Sequence, residues 1–216
     1  MRFTVVSGLA VALAVAVSAC GGGDESSDAN EPAGTYRTEI VTAEFPTAQS
    51  LGETSLMRLG VRNTGEEAIP TVTVTVSIAG RAGDTSALPF GLRDPQPDLA
   101  QPDRPIWVLA AGYPKRSGET TQGGAETSSP GTFSLGRLEP GETTEWVWKV
   151  SAVEAGRYTV LYEIDAGLSG AARAETAAGV QPGGSFAVRI AKAPPNTIVT
   201  DSGEVVTIPQ GDGQGN

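Results

Sequence analysis

The chain lacks histidine altogether, and it has one cysteine and two methionines among its 216 residues. Without histidine, a Ser-His-Asp triad, a Cys-His dyad and any imidazole metal site are excluded. Positive charge is also scarce, since 15 Lys and Arg stand against 25 Asp and Glu and the formal net charge is −10. Binding to nucleic acid needs clustered Lys and Arg opposite the phosphates. We therefore expect no nucleic-acid partner.

Long hydrophobic runs are absent except at the N-terminus, and even there the run is short. Residues 5–17, thirteen in number, carry no charge and follow Arg2. This length is typical of the hydrophobic region of a signal peptide, whereas a membrane-spanning helix needs about 20 residues. The run ends in the string VSAC at residues 17–20, and three glycines follow. These features predict a signal peptide over residues 1–19.

The string VSAC resembles the lipobox of bacterial lipoproteins. The resemblance implies cleavage between Ala19 and Cys20 and attachment of diacylglycerol to the Cys20 thiol, with acyl chains such as palmitate inserted in a lipid bilayer. Two or three acyl chains, at about 0.8 kcal/mol per buried CH₂, anchor a protein firmly. The alternative is a signal anchor, or a cleaved signal with an incidental cysteine. We expect an extracytoplasmic protein, held by lipid on the cell membrane or the outer membrane.

The segment after the cysteine is predicted to be a flexible acidic linker covering residues 20–36. It is almost free of apolar side chains, and a segment of this composition cannot bury enough apolar surface to fold. About 16 such residues reach roughly 20–25 Å. The linker is therefore expected to lift a folded domain, predicted at residues 37–192, off the membrane surface.

Short alternating patterns dominate that domain. The clearest is at residues 70–78, where Val72, Val74, Val76 and Ile78 alternate with polar residues, as in a half-buried strand. The same period of two predicts further strands at residues 38–45, 55–62, 144–150, 158–164, 171–177 and 185–191. No window after the signal peptide has the periodicity of an amphipathic helix. The predicted fold class is all-β, an Ig-like antiparallel β-sandwich.

One interval, the insertion at about residues 81–132, departs from this pattern. It holds seven of the fifteen prolines and one strand-like segment at residues 104–109. A connection this long within a compact domain is usually functional or disordered, and we expect residues 115–131 to be mobile. The C-terminal tail, residues 193–216, is predicted to contain a short hairpin at residues 197–208.

Two stretches of the domain resemble the bacterial Ig-like modules called cell-adhesion-related, or CARDB-like, domains. One is LGVRNTG at residues 59–65, a strand running into a turn, and the other is LEPGET at residues 138–143. Residues 148–160 are similar to the segment that comes after this turn in those modules. The resemblance implies an Ig-like domain, present here in a single copy where those modules often occur in tandem. It names no ligand, because one sandwich scaffold hosts many functions.

Aromatic residues are the candidates for recognition. Phe90, Trp107 and Tyr113 lie in the insertion and are predicted to form a recognition surface, the alternative being that they pack the insertion against the sandwich. Trp146 and Trp148 share a strand face with Val150, which favours a core position for at least one of them over an exposed platform for glycan or peptide.

The remaining polar residues indicate no catalytic or metal site. Tyr158 resembles a tyrosine corner, which is a structural hydrogen bond. Glu66 and Glu67 are adjacent in a turn, not opposed across a cleft as glycoside hydrolysis requires. The insertion has four aspartates without the spacing of an EF-hand loop, namely Asp84, Asp94, Asp98 and Asp103. We therefore expect no catalytic residue, no metal, no cofactor and no enzymatic activity.

The predicted function is that of a non-catalytic binding or accessory module for another envelope protein or an extracellular component. The alternative is an extracytoplasmic lipoprotein that binds a small ligand or calcium. A third hypothesis, an enzyme that uses carboxylates alone, would need clustered carboxylates in a deep pocket.

Overall fold

The computed structural model describes residues 31–80, 88–92, 105–121, 123–192, 196–203 and 205–208. The signal peptide, the lipobox with Ala19 and Cys20, and most of the predicted linker lie outside these residues. So do the four aspartates of the insertion, Asp84, Asp94, Asp98 and Asp103. In the part of the chain that is described, no helix is long and apolar enough to cross a membrane.

All the regular elements of the described residues are strands. In chain order they are β1 (Gly34–Glu44), β2 (Ala48–Ser50), β3 (Thr54–Asn63), β4 (Thr73–Ile78), β5 (Phe90–Leu92), β6 (Trp107–Leu109), β7 (Lys115–Arg116), β8 (Ala125–Glu126), β9 (Thr132–Ser134), β10 (Thr143–Ala152), β11 (Gly156–Asp165), β12 (Ala172–Glu175), β13 (Gly183–Ala191), β14 (Asn196–Val199) and β15 (Val205–Ile208).

Two sheets form the sandwich. The first has the order β12-β1-β3-β10-β6-β5, with β7 also paired to β10, and the second has the order β2-β13-β11-β4-β9-β8. The long pairings, such as β3 with β10 and β11 with β13, are antiparallel. A separate hairpin, β14 with β15, lies within the predicted tail. The predicted Ig-like all-β sandwich is confirmed.

The alternating residues face the core, as their period of two predicts. Val72, Val74, Val76 and Ile78 are buried, although β4 begins only at Thr73. Trp146 and Trp148 are fully buried, so both belong to the core. Rings from opposite sheets touch there: Phe133 of β9 packs edge-on against Trp148 of β10, with centroids 5.7 Å apart.

The chain changes sheets between β1 and β2. β1 pairs with β3 as far as Glu44, passes through Phe45 and Pro46, and then enters β2, which pairs in parallel with the last residues of β13. This crossing leaves one lateral side of the sandwich bounded by β1 and β13.

The folded domain begins earlier than predicted. β1 starts at Gly34 and pairs in parallel with β12. Before it, the Glu31 carboxylate accepts hydrogen bonds from the backbone N–H of Leu168, at 2.8 and 2.9 Å, and of Ser169, at 3.0 Å. The end of the predicted linker is therefore part of the domain.

The insertion is more structured than its composition indicated. Residues 115–131, expected to be mobile, contain β7 and β8. Lys115 and Arg116 pair with β10, and Ala125 and Glu126 pair with β9. Glycine, serine and threonine allow such short pairings once long neighbouring strands provide the template. The composition of the insertion alone does not predict these pairings.

Candidate functional site

Two of the three aromatic residues predicted to form a recognition surface are buried. Phe90 is 1% exposed and Trp107 is 0% exposed, and their rings pack edge to face with centroids 6.1 Å apart. Trp107 Nε1 donates a hydrogen bond of 2.7 Å to Gln49 Oε1 in β2. The prediction of an exposed surface is wrong for these two residues, because burying large rings stabilises the sandwich more than exposing them. They attach the insertion to the core.

The third aromatic residue, Tyr113, is half-buried and packs against the edge of the core. Lys115 Nζ lies 5.1 Å from the centroid of its ring, a cation–π contact. Tyr113 therefore keeps some accessible surface, and its role in recognition stays a prediction.

The lateral side between β1 and β13 carries a groove, which we call the Phe186 groove. Its volume is about 700 Å³, and its lining includes Glu44, Phe45, Glu53, Leu56, Arg58 and Phe186. Leu56 is 37% exposed there, and Phe186 is half-buried. Apolar side chains gathered at the surface around a concave site are typical of interaction surfaces.

Phe186 is held rigidly at this groove although it is only half-buried. Its ring stacks on Tyr162, with centroids 5.1 Å apart and 24° between the planes. On the other side it meets Phe45 edge-on at 5.9 Å, and Phe45 in turn touches Trp107 at 5.4 Å. A row of rings thus runs from the core to the surface and fixes the apolar wall of the groove.

Tyr162 is a neutral polar group beside this wall. Burial raises the pKa of its phenol, so the hydroxyl stays protonated at neutral pH. Gly184 of β13 makes room for the ring, because a Cβ at this position would lie 2.5 Å from the Tyr162 hydroxyl oxygen. That hydroxyl makes no hydrogen bond within the described part of the chain, which leaves it available as a donor.

The charges of the groove favour a basic ligand. Arg58 is committed to Glu145, since its Nη1 lies 3.0 Å from Glu145 Oε1. Glu53 accepts one backbone hydrogen bond, from Ser50 N–H at 2.8 Å. Among the described residues neither Glu44 nor Glu53 has an ion-pair partner, so the rim of the Phe186 groove is acidic.

A second groove, of about 620 Å³, lies on β4, β8, β9 and β11 and is lined by hydroxyls and carboxylates. Two of its carboxylates, those of Asp165 and Glu126, accept internal hydrogen bonds. Asp165 Oδ1 accepts hydrogen bonds from the N–H groups of Ala166 and Ala174, and Glu126 Oε1 accepts one from Gly131 N–H. These carboxylates hold turns and strand ends together, so we regard this groove as structural.

The other polar candidates serve the fold. The Tyr158 hydroxyl lies 3.2 Å from the carbonyl oxygen of Ala155 and 3.0 Å from Glu154 Oε1, a structural contact like that of a tyrosine corner. Glu66 and Glu67 are exposed in a turn. No three histidine, cysteine or acidic side chains are grouped to hold a metal ion in the described ranges.

Sequence reasoning did not find the Phe186 groove. It predicted a strand over residues 185–191 and assigned no functional role to Phe186, Leu56, Glu44 or Glu53. The groove joins β1, β3 and β13, which are far apart in sequence. A local signal was present in residues 183–188, where an uncharged strand has no lysine or proline to protect an edge.

Comparison with known proteins leaves the function open. No protein family matches the chain, and no curated protein matches it. Among solved structures, a CARDB domain from Pyrococcus furiosus, solved in complex with di-metal ions, is 12% identical, with 72% of this chain and 86% of that chain covered and a TM-score of 0.38. E. coli alpha-2-macroglobulin is 16% identical, with 74% of this chain and 7% of that chain covered and a TM-score of 0.38. A beta-glucosidase from Listeria innocua is 12% identical, with coverages of 74% and 16% and a TM-score of 0.34. Likenesses this distant carry no argument about ligand or activity.

Proposed function

We propose that this protein is a lipid-anchored, non-catalytic binding module of the bacterial cell envelope, and that its Phe186 groove receives an envelope or extracellular partner. The observation that carries the proposal is the groove itself, a concave, partly apolar site with a rigid aromatic wall and an acidic rim. Small and medium binding sites combine apolar walls with a few polar groups in this way.

The position of the groove suits a tethered protein. The linker joins the domain at Glu31, next to the start of β1, and the groove lies at the other end of β1. The eleven residues of β1 span about 33 Å at the usual rise of an extended strand. A lipid attached to Cys20, as the lipobox resemblance implies, would therefore leave the groove at the end of the domain remote from the membrane.

Photo-crosslinking in intact bacterial cells tests this proposal. A photoreactive amino acid replaces Leu56 in the groove, and a matched protein carries it at Val180, which is 59% exposed and does not line the groove. We expect a recurrent crosslinked partner from position 56 and none from position 180. In the same cells, labelled palmitate should be incorporated into the original chain and not into a Cys20→Ser variant.

Each part of the proposal can fail separately. Equal products from positions 56 and 180 would contradict the assignment of the groove as the binding site. Equal palmitate labelling of the Cys20→Ser variant and the original chain would contradict lipid attachment at this cysteine.

A further inference from the structure

One edge of the second sheet is unpaired, and we call residues 183–188 the β13 edge. On one side, β13 pairs with β11 from Gly183 to Ile190. On the outer side β2 covers only Arg189, Ile190 and Ala191. Among the described residues no strand covers the rest of this side.

The hydrogen-bonding groups of the β13 edge can be assigned by alternation. Arg189 N–H points outward, because it donates to the Thr47 carbonyl oxygen at 2.8 Å. Successive residues of a strand direct their backbone groups to opposite sides. Gly183, Ser185 and Ala187 therefore direct N–H and C=O outward, and these three residues are exposed.

Sheet edges in soluble proteins are usually protected by charge, proline or a covering segment. Residues 183–188, with the sequence GGSFAV, contain neither charge nor proline. An unprotected edge is a template for pairing with an extended chain, which is how many peptide-binding domains capture their ligands.

An added strand would bring its side chains to the Phe186 groove. In the register of β11 with β13, Val160 is opposite Phe186 and Tyr162 is opposite Gly184, so this row of β13 faces the interior of the sandwich. The side chains that an added strand directs inward would enter the same layer, beside Phe186 and the Tyr162 hydroxyl. Two such side chains are separated by two positions, about 7 Å along the strand.

The groove also specifies the chemistry of those two side chains. Phe186 and Phe45 offer an apolar contact, while Glu44 and Glu53 offer negative charge without an ion-pair partner in the described residues. These carboxylates would attract a basic side chain, because Arg58, the one cation among the described lining residues, is already paired with Glu145.

We propose that the β13 edge captures an extended segment of a partner protein as an additional strand. The segment carries an apolar residue that packs on Phe186 and, two positions away, a basic residue beside Glu44 and Glu53. This inference rests on the binding function proposed above and names the class of partner for the same site.

The test uses the full chain and a library of random nine-residue peptides displayed on phage. We expect enriched peptides to share an apolar residue followed or preceded, at the second position, by Lys or Arg. Ser185→Pro removes an outward N–H that β11 does not use, and edge strands tolerate proline at such positions. It should weaken binding of an enriched synthetic peptide by about tenfold or more, since strand addition depends on main-chain hydrogen bonds.

Matched controls separate strand addition from other kinds of binding. Ser185→Ala keeps the N–H and should bind like the original chain. Glu44→Gln should weaken a basic peptide about two- to fivefold, as expected for an exposed ion pair. N-methylation of alternate peptide residues removes the donors of the ligand and should abolish binding, a result that needs no variant of the protein.

The outcomes are distinct. If enriched peptides still bind after both Ser185→Pro and N-methylation, strand addition is overturned, while the groove remains a binding site. Enrichment of no peptide above the Ser185→Pro background would overturn the inference, whereas the proposed function is tested separately by crosslinking at position 56. A dimer in sedimentation that Ser185→Pro dissociates would assign the β13 edge to a second copy of this chain and also overturn the inference.

Discussion

Single side chains with the same burial have different roles in this core. Trp107, Trp146 and Trp148 are all fully buried. Only the Trp107 indole is hydrogen-bonded, to Gln49 Oε1, and Gln49 Nε2 in turn donates to the Pro46 carbonyl oxygen at 2.9 Å. The Nε1 atoms of Trp146 and Trp148 have no hydrogen-bond partner in the structure. Trp107 therefore connects the insertion to β2, whereas the other two indoles contribute apolar packing.

This difference predicts that Trp107→Phe destabilises the protein more than Trp148→Phe. Both substitutions remove the same atoms from the core, and only the first leaves a buried acceptor, Gln49 Oε1, without its donor. The excess loss in free energy of unfolding should be about 1–3 kcal/mol, measured by urea denaturation. Equal losses for the two variants would show that the hydrogen bond contributes nothing net.

Among strands and turns, the joint between β3 and β10 brings together the two separate stretches at residues 59–65 and 138–143. Asn63 ends β3 and is fully buried. Its Nδ2 donates to the carbonyl oxygens of Glu67, at 2.8 Å, and Leu138, at 3.1 Å, and its Oδ1 accepts from Gly65 N–H at 3.0 Å. Gly141 N–H also donates to the Asn63 carbonyl oxygen. The stretches 59–65 and 138–143 are thus hydrogen-bonded to each other through one amide side chain.

Asn63→Asp should therefore be strongly destabilising although it conserves shape. A carboxylate at this position would face two carbonyl oxygens and would lose both donors, and removing one member of a buried polar network leaves the others unpaired. We expect a loss of about 2–4 kcal/mol in unfolding free energy, because two buried carbonyls would each lose a partner. Glu66→Gln, in the exposed part of the same turn, serves as the control and should change stability by less than about 0.5 kcal/mol. Near-identical denaturation midpoints for the two variants would contradict the role given to Asn63.

For the protein as a whole, the contact of Glu31 decides where the linker leaves the domain. Its carboxylate binds the connection between β11 and β12 and thereby fixes the chain just before Gly34. Without this contact, the linker would join the domain at β1, and the orientation of the Phe186 groove relative to the anchor would be less restricted.

Glu31→Ala should increase amide hydrogen exchange at Leu168 and Ser169, since both N–H groups would lose their acceptor and become open to water. The expected loss of global stability is small, about 1 kcal/mol, because the contact is close to solvent. Exchange at Val160, in the centre of β11, provides the internal reference. Unchanged exchange at Leu168 and Ser169 would show that Glu31 does not hold this connection.

The alternating residues of the long strands were sufficient to predict the fold class and most core positions, because the direction of a side chain on a strand follows local parity alone. Turn residues such as Asn63 and Gly65 marked the strand ends for the same local reason. Lipid attachment at Cys20 remains a prediction from the sequence, since that residue lies outside the described part of the chain.

The partner of each strand could not be predicted in this way, because strand pairing depends on contacts between segments that are distant in the chain. The burial of Phe90 and Trp107 follows from the pairing of β5 with β6 and of β6 with β10. The local sequence around these residues is polar and rich in proline, and it does not predict this pairing. The Phe186 groove and the β13 edge exist because β1 leaves the first sheet at Phe45 and β2 covers only three residues of β13. The pattern of residues 185–191 predicted a strand, and the tertiary pairing of the described residues left one side of residues 183–188 without a neighbouring strand.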